Sequence, residues 1–298
     1  MMLRYLGMIS IVISSSNPGY LTAVKENIRE TIGVPYEVIA VPNGDGKRGI
    51  CEVYNAAASQ AKYDLLCFMH EDIQFHTQNW GHNVVEVLSN PEIGLLGVAG
   101  SKYKCLMPGG WSCPGISIPW HKANFIQRFK FEDLKTQHFV YNTSDEEVSE
   151  VATLDGVWLC TRKSVFKTIK FDEQLLRGFH GYDLDYSLQV ARQYKVCVTF
   201  GVLIEHFSEG NYSADWLDAM LKLHNKHKDA LPRIVGDIPA REVRYAEKSA
   251  GKALFKKMAV MGYGLSDRIA ILWKYDARRA LGLKQFLLFN LKLLVRRY

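Results

Sequence analysis

Two neighbouring carboxylates follow a short, strongly apolar run of the sequence. Residues 65–69 read Leu-Leu-Cys-Phe-Met, and His70, Glu71 and Asp72 come directly after them. A carboxylate is costly to bury without a partner. A divalent cation that bridges to a substrate diphosphate would be such a partner, because Mg²⁺ and Mn²⁺ prefer oxygen ligands. An acidic helix N-terminus, stabilised by the helix dipole, explains the same pair equally well.

Two further residues could take part in the same chemistry. His206 ends another apolar run, residues 196–204, although a lone histidine is more often a hydrogen-bonded structural residue than a ligand. Asp183 precedes a helical pattern, so it is either the N-cap of that helix or a general base at the mouth of a site. A hydroxyl group is a poor nucleophile until such a base takes its proton.

These residues need a scaffold that brings separate strand ends together. Short, β-branched and apolar runs predict buried strands, at residues 8–13, 36–41, 65–69, 94–99 and 196–204. Helical spacing predicts helices between them, at residues 21–32, 53–61, 83–88 and 183–194. The alternation predicts an α/β fold with a mostly parallel central sheet and helices on both faces. Ligands of such sheets bind beyond the carboxyl ends of the strands.

The middle and the end of the chain depart from this alternation. Residues 101–150 are rich in Gly, Pro, aromatic and polar residues, which predicts a long functional loop region, because unstructured insertions of this length are otherwise rare. Everything beyond residue 216 has a helical pattern. Residues 241–298 hold 14 Lys and Arg against 4 Asp and Glu, and such an excess of positive charge usually faces an anionic partner.

Several classes of site are excluded by what the sequence lacks. No Gly-x-Gly-x-x-Gly follows the first predicted strand, which argues against a dinucleotide site, and no P-loop motif occurs. None of the six cysteines forms a Cys-x-x-Cys pair, so no zinc site is indicated and a reduced setting is expected. A disulfide between Cys105 and Cys113 stays open. Residues 1–12 lack the long apolar core of a signal peptide.

In their order along the chain, the motifs resemble those of the family 2 glycosyltransferases of the GT-A fold. The resemblance covers residues 9–210 and depends on several segments in register. They are Ser14-Ser15-Ser16-Asn17, Pro42-Asn43, Tyr54-Asn55, His70-Glu71-Asp72 in the place of the D-x-D motif, Asp155-Gly156-Val157-Trp158, His180-Gly181-Tyr182-Asp183 and Glu205-His206. His70 replaces the first aspartate of D-x-D, and Tyr182 replaces the glutamate of the family's Glu-Asp motif.

The resemblance implies a role for each segment. Asp183 would be the general base, and Asp72 and His206 would hold Mn²⁺ or Mg²⁺. Contacts to a nucleotide-sugar donor would come from Ser14, Ser15, Ser16, Asn17, Asn43, Asn55, His70 and Glu71. Contacts to the acceptor would come from Trp111, Asp155, Gly156, Trp158, His180 and Tyr182.

The same resemblance implies an activity and a domain organisation. Residues 1–212 would form a GT-A-like catalytic domain, with an acceptor-side region at residues 101–150, and residues 213–298 a basic helical extension. The reaction would be an inverting, metal-dependent transfer of a sugar, with a UDP-sugar as the favoured donor. The acceptor would be a glycan or lipid-linked hydroxyl, as in surface glycan or polysaccharide synthesis. We expect a cytoplasmic protein, and a peripheral position on the inner face of the membrane stays open as a further option.

Two sets of side chains keep two interpretations each. Aromatic rings in the middle region could stack on sugar rings or pack over the sheet; they belong to Trp111, Trp120, His121 and Phe125. The last helices could lie on an anionic membrane or pack on the catalytic domain or a second subunit. The residues that suggest a membrane surface are Phe286, Leu287, Phe289, Leu293 and Leu294 with Lys284, Lys292, Arg296 and Arg297.

Rival classes explain part of the sequence. A sugar nucleotidyltransferase also combines a sheet, a metal and a nucleotide, but the loop after its first strand is generally Gly-rich and basic, whereas residues 14–17 are Ser-rich. A non-catalytic nucleotide or glycan binding protein would fit the replacements His70 and Tyr182. A nucleic-acid binder fits the basic tail and leaves the strand-end acids unexplained, so nucleic acid is not predicted as a partner.

Overall fold

The chain folds into alternating strands and helices, described here by a computed structural model for residues 7–130, 134–210 and 212–295. The strands are β1 (Ile9–Ser15), β2 (Tyr36–Pro42), β3 (Leu65–Met69), β4 (Ile73–Phe75), β5 (Ile93–Gly97), β6 (Ala99–Ser101), β7 (Tyr103–Lys104), β8 (His121–Gln127), β9 (Gln137–Tyr141), β10 (Val148–Glu150), β11 (Thr153–Leu154), β12 (Trp158–Arg162), β13 (Lys195–Thr199), β14 (Ile204–His206) and β15 (Arg233–Ile234). The α-helices are α1 (Pro18–Thr31), α2 (Ile50–Gln60), α3 (Trp80–Ser89), α4 (Lys163–Thr168), α5 (Tyr182–Val190), α6 (Ala214–Lys226), α7 (Ala240–Val260), α8 (Leu265–Lys274), α9 (Arg278–Leu281) and α10 (Leu283–Leu294).

A seven-stranded sheet forms the centre, in the order β10-β13-β5-β12-β3-β1-β2. Parallel pairs join β1 to β2 and β3, and β13 to β5, while β12 runs antiparallel to both of its neighbours. Because β1 and β3 are parallel neighbours, Ile13 lies beside Met69 and the polar residues that follow each strand emerge at one edge. The predicted α/β fold with a central sheet flanked by helices is confirmed. The prediction of a mostly parallel sheet was wrong, because β12 lies antiparallel between β5 and β3 and β10 is antiparallel to β13, so three of the six pairings described are antiparallel.

A second sheet stands over that edge, in the order β11-β6-β8-β14-β4, with β9 paired to β8. Much of it comes from residues 101–150, so the prediction of a long loop region there was wrong in secondary structure. The strands went unnoticed because β8 carries polar residues at internal positions, including Lys122 and Asn124. Distant parts of the chain provide partners for these side chains: Asn124 Nδ2 donates to the Phe200 carbonyl (2.9 Å), and Lys122 Nζ lies 3.9 Å from the Glu146 carboxylate.

The predicted strand over residues 196–204 is in fact two strands in two sheets. β13 belongs to the central sheet and β14, which carries His206, to the second. The chain turns between them at Gly201. A β-carbon at this position would collide with the Asn83 side chain. This turn moves His206 away from the central sheet and towards the segment after β3.

Apolar side chains cover both faces of the central sheet. Alternate residues of β1 point to opposite faces, so Val12 joins one buried cluster and Ile11 the other. The cluster around Val12 continues into the C-terminal helices through Phe255 of α7 and Phe289 of α10, whose ring centroids are 5.9 Å apart. The C-terminal helices therefore pack on the rest of the chain along their inner faces.

Glu247 fixes α7 to the segment after β7. Its carboxylate is fully buried and accepts hydrogen bonds from Tyr103 Oη (2.5 Å), Leu106 N (2.6 Å) and Met107 N (3.2 Å). Burial raises the pKa of Glu247, although these hydrogen bonds oppose the shift. A carboxylate in this position joins the helical extension to the loop that leads towards the site.

The cysteines and the helices settle two smaller points. All six cysteines are buried free thiols, so Cys105 and Cys113 are not joined by a disulfide in this structure. Among the described residues, no helix combines the length and the apolarity that crossing a bilayer would require.

Candidate active site

A cleft of about 730 Å³ opens where the ends of β1 and β3 meet the second sheet. Most of the predicted site residues line this cleft, although they are far apart in the sequence. Ser14 and His206, for example, are separated by 192 positions. The predicted residues on its wall are Ser14, Ser16, Asn17, His70, Glu71, Asp72, Trp111, Asp155, Gly156, His180, Tyr182, Asp183 and His206.

Three side chains on one wall form a group of metal-ligand type. His70, Asp72 and His206 each direct a ligand atom to one place, and these atoms lie within 4.8 Å of one another. Asp72 Oδ1 is 3.8 Å from His70 Nδ1 and 3.6 Å from His206 Nε2. Two imidazoles and a carboxylate are a common set of ligands for a first-row divalent metal. The group adds His70 to the two predicted metal ligands.

His206 is held with one nitrogen ready for a ligand. Its Nδ1–H donates to Gln127 Oε1 at 3.2 Å, since an amide oxygen can only accept. Nε2 is then the unprotonated nitrogen, and it is buried without a hydrogen-bond partner. A buried acceptor that lacks a partner is costly, and a cation beside Asp72 would satisfy it. The residues present therefore fit a divalent metal.

His70 is oriented in the same manner by a different partner. The Tyr182 hydroxyl donates to the Gly156 carbonyl at 2.9 Å, so its oxygen accepts the hydrogen of His70 Nε2, also at 2.9 Å. His70 Nδ1 then presents its lone pair towards Asp72. Glycine is needed at position 156, because a β-carbon there would collide with the Tyr182 hydroxyl. Burial lowers the pKa of His70, which keeps the imidazole neutral as a ligand must be.

Asp72 is ionised in this setting. Burial disfavours its charged form, but the hydrogen bond and charge of His206 and the charge of His70, when these rings are protonated, together with the hydrogen bond from Ser208, hold the pKa of Asp72 well below its usual range. Ser208 Oγ donates to Asp72 Oδ2 at 2.6 Å, which leaves Oδ1 directed at the two histidines.

Glu71 connects the segment of Asp72 to the loop after β1. Its carboxylate is buried and accepts four hydrogen bonds, from Ser15 Oγ (2.6 Å), Ser16 N (2.8 Å), Ser16 Oγ (3.0 Å) and Asn17 N (2.8 Å). Asn17 in turn caps α1 through Gly19 N and Tyr20 N. Glu71 therefore shapes the predicted donor loop, and its oxygens are occupied by the protein.

Asp183 lines the same cleft, in the first turn of α5. It is not the N-cap, which is Gly181 in a left-handed conformation (φ 83°). Burial and the negative charge of Asp155 raise the pKa of Asp183 to about 7. A carboxyl group with a pKa near neutrality can exchange a proton with a substrate at physiological pH. Asp183 therefore has the position and the pKa that a general base would need.

A match to a family model gives the family of the chain. Residues 9–227 match the model of a family described as glycosyltransferase-like, Glyco_tranf_2_5. The chain belongs to this glycosyltransferase-like family. The prediction of a family 2-like glycosyltransferase is thereby confirmed at the level of the family. None of the curated proteins matches the sequence.

Solved structures show the fold that this family member shares. TarS of S. aureus, solved with UDP, has a TM-score of 0.51 at 11% identity, with 90% of this chain and 79% of that chain covered. The mannosyltransferase PcManGT of Pyrobaculum calidifontis, solved with GDP-Man and Mn²⁺, has a TM-score of 0.50 at 12% identity, with 98% and 88% covered. The predicted GT-A fold is confirmed by these likenesses.

A third structure is larger than this family member. GalNAc-T7, solved with UDP, GalNAc and Mn²⁺, has a TM-score of 0.49 at 10% identity. The comparison covers 90% of this chain and 55% of that chain, so this chain spans about half the length of GalNAc-T7.

Four predicted site residues of the glycosyltransferase-like chain do not reach the cleft. Trp158 is fully buried in the central sheet, with its ring edge-on to Trp80 at 6.0 Å, so it cannot contact an acceptor. Asn55 bonds the Phe171 backbone, as donor to O (2.9 Å) and acceptor from N (3.2 Å). The other two, Asn43 and Ser15, are engaged by the Arg48 backbone and by Glu71 respectively.

The role of Tyr182 also differs from the prediction. It was predicted as an acceptor contact, but only 4% of its surface is exposed and its hydroxyl is committed to His70 and Gly156. It therefore acts as a support for His70.

Sequence reasoning missed three residues that shape the site. Gln127 orients His206, Ser208 orients Asp72, and Lys104 holds the loop that carries Trp111, because its buried ammonium donates to the Gly109 carbonyl (2.6 Å) and to the next one (3.0 Å). Ser208 could have been found from its place two residues after His206. Gln127 and Lys104 lie in the segment that was taken for a loop.

The aromatic residues of the middle region divide between the two interpretations. Trp111 and Phe125 line the cleft. Trp120 donates from Nε1 to Glu242 of α7 at 2.9 Å, and His121 packs edge-on against Trp111 with centroids 6.1 Å apart. The latter two therefore support the wall of the cleft.

Proposed function

We propose that this chain transfers a sugar from a nucleotide-sugar donor to an acceptor hydroxyl, with inversion at the anomeric carbon. The observation that carries the proposal is that one cleft joins the His70, Asp72 and His206 group to Asp183, a carboxyl group with a pKa of about 7. A leaving diphosphate needs positive charge on one side, and an acceptor hydroxyl needs a base on the other. The cleft holds groups that can meet both requirements.

Asp183 carries the proton transfer in this proposal. Its carboxylate takes the proton of the acceptor hydroxyl while the acceptor oxygen forms a bond to the anomeric carbon. The bond from that carbon to the diphosphate oxygen breaks at the same time, and the nucleoside diphosphate leaves with the electron pair. Asp155 keeps the basicity of Asp183 high, because its charge disfavours a second anion nearby.

Mn²⁺ is the metal that we propose for the group of two histidines and one aspartate, with Mg²⁺ as the alternative. His70, Asp72 and His206 would hold it, and the ion would neutralise negative charge on the leaving diphosphate. Two of these three ligands are imidazoles, whereas Mg²⁺ prefers a shell of oxygen atoms. PcManGT, which shares the fold, was solved with Mn²⁺.

The substrates follow from the two ends of the cleft. The donor nucleotide would lie against Ser14, Ser16 and Asn17, where backbone groups precede the N-terminus of α1. A UDP-sugar is the donor that we propose, with a GDP-sugar as the next candidate, since TarS was solved with UDP and PcManGT with GDP-Man. A glycan or lipid-linked acceptor would enter beside Trp111 and His180, as in surface glycan or polysaccharide synthesis.

The test begins with donor binding and ends with turnover. Purified chain is screened by thermal shift against UDP-, GDP-, dTDP- and CMP-sugars with and without Mn²⁺, and the donor that stabilises it is then assayed for transfer and for slow hydrolysis. We expect Mn²⁺-dependent release of nucleoside diphosphate that Asp183→Asn lowers by about a hundredfold or more. Binding without any donor cleavage would establish a non-catalytic binding protein instead.

A further inference from the structure

Helix α10 presents an apolar surface to solvent. Leu283, Leu287, Leu291 and Leu294 recur at spacings of four, four and three residues, so they lie along one stripe of the helix. Their exposed fractions are 60%, 56%, 55% and 59%. Val295 continues the stripe at 55%. A surface helix of a globular protein normally carries polar residues on its outer face, so this stripe needs an explanation.

The stripe is not required for the packing of α10. The helix uses a different set of residues for that purpose, since Phe286, Phe289 and Leu293 are buried. The Phe289 ring meets Phe255 of α7, and the Phe286 ring meets Trp273 of α8 with centroids 5.0 Å apart. Both faces of α10 are therefore apolar, and within the part of the chain that the structure describes only the inner face packs against other helices.

Positive charge and an amphipathic ring accompany the stripe. Lys284 is exposed one turn before Leu287, and Lys292, which is half-buried, lies three residues before Val295. Trp273 is 64% exposed next to α10 and its indole N–H donates to Asn290 at 3.2 Å. From residue 241 onwards the sequence has 14 basic and 4 acidic residues. Two of the basic residues, Arg296 and Arg297, lie outside the described residues.

We propose that α10 docks on the surface of an anionic lipid bilayer, with its leucine stripe in the interface and its lysines at the headgroups. The combination of an apolar stripe, flanking lysines and an exposed tryptophan is what an interfacial helix needs. A second copy of the chain is disfavoured as the occupant, because pairing two such faces would bring two sets of positive charges together. The proposal does not depend on the proposed activity.

The dimensions of α10 require it to lie on the bilayer. Its 12 residues span about 18 Å at 1.5 Å per residue, which is shorter than the hydrocarbon core of about 30 Å. The helix is also fixed on its inner face by Phe255 and Trp273. Docking thus brings the whole folded chain to the membrane, with the helix axis along the surface.

The experiment is co-sedimentation of the full chain with vesicles. One set is phosphatidylcholine alone and the other contains roughly 30% phosphatidylserine, the anionic lipid of cytoplasmic leaflets. Leu287→Gln/Leu291→Gln removes the centre of the stripe, and Lys284→Glu/Lys292→Glu reverses its charge. The matched control is Val140→Gln on β9, which is 55% exposed and far from α10 in sequence. Each variant is checked for an unchanged melting temperature.

The expected result is that wild type and Val140→Gln bind the anionic vesicles about tenfold more strongly than the neutral ones. Both double variants should lose this preference. Equal binding by the leucine variant, or no binding of the wild type to either vesicle, would overturn the proposal. A wild-type dimer by light scattering that the leucine variant converts to a monomer would also overturn it, and would assign the stripe to a second copy. Donor-induced thermal stabilisation, measured without vesicles, reports separately on the proposed function.

Discussion

His70 Nε2 donates a hydrogen bond to the Tyr182 hydroxyl at 2.9 Å, and at both positions the chain departs from an acid that the family resemblance implies. The two replacements therefore contact each other across 112 residues of sequence. The pair converts a potential carboxylate ligand into an imidazole whose tautomer is fixed by a tyrosine. The metal site that we propose would therefore have an altered ligand type with its own support, and it would explain both replacements together.

Tyr182→Phe should weaken metal binding while the fold is kept. The phenylalanine ring fills the same buried space, but His70 loses the acceptor that fixes its Nδ1 lone pair towards Asp72. Loss of such a support typically reduces metal affinity by about 10- to 100-fold. Isothermal titration with Mn²⁺ measures this. Tyr186→Phe is the control, because Tyr186 is a buried tyrosine of the same helix that packs on Phe171; an equal loss in both variants would contradict the support role.

The rate of sugar transfer should rise with pH up to neutrality. Asp183 must be unprotonated to act as a base, and its pKa is about 7, so kcat/KM at pH 6 should be about tenfold below its value at pH 8. Asp155→Asn removes the neighbouring charge that raises this pKa, while its side-chain oxygen still accepts from Val157 N. The acid limb of the profile should then move to lower pH. If the acid limb of the Asp155→Asn profile does not move, this limb does not report the ionisation of Asp183.

Asp183 should also lower the stability of the folded chain at high pH. The pKa of its carboxyl group is 3.8 ordinarily and about 7 in the folded chain, so the folded state holds the proton more tightly than the unfolded state. Stability is then lost as the pH rises from about 4 to about 7. Asp183→Asn should therefore melt at a higher temperature than wild type at pH 8, and the difference should shrink towards pH 5. Asp229→Asn, at an exposed position, should show no such trend.

Removal of the Glu247 carboxylate should destabilise the whole chain. Glu247→Ala leaves two buried backbone N–H groups and the Tyr103 hydroxyl without their acceptor. We expect the free energy of unfolding to fall by about 2–4 kcal/mol, measured by urea denaturation. Glu30→Ala, at a largely exposed side chain of α1, should change it by less than about 0.5 kcal/mol. A small effect of Glu247→Ala would mean that α7 is held by its apolar contacts alone.

The order of elements and the strand ends could be predicted because they are local properties. The run at residues 65–69 became β3 with the same bounds, and the polar residues after it do line the cleft. Buried apolar strands and the polar residues that follow them leave a pattern within a few positions of the sequence. That pattern was enough to place Asp72, Asp183 and His206 on one cleft.

The supporting contacts could not be predicted because they depend on pairing between distant segments. Gln127 meets His206 because β8 and β14 pair in parallel with these two residues in register. Neither strand carries an alternation that fixes such a register. Trp158 failed as a site residue for a related reason, since its side of the sheet is decided by α3 and Trp80 and not by its neighbours in sequence.

Glu71 couples the loop after β1 to the segment after β3. Its four hydrogen bonds make the loop of Ser16 and Asn17 a continuation of the strand end that carries Asp72. Ordering one of these segments therefore orders the other. By thermodynamic reciprocity, if the proposed cation strengthens binding of the proposed nucleotide through this loop, the nucleotide would strengthen binding of the cation by the same factor.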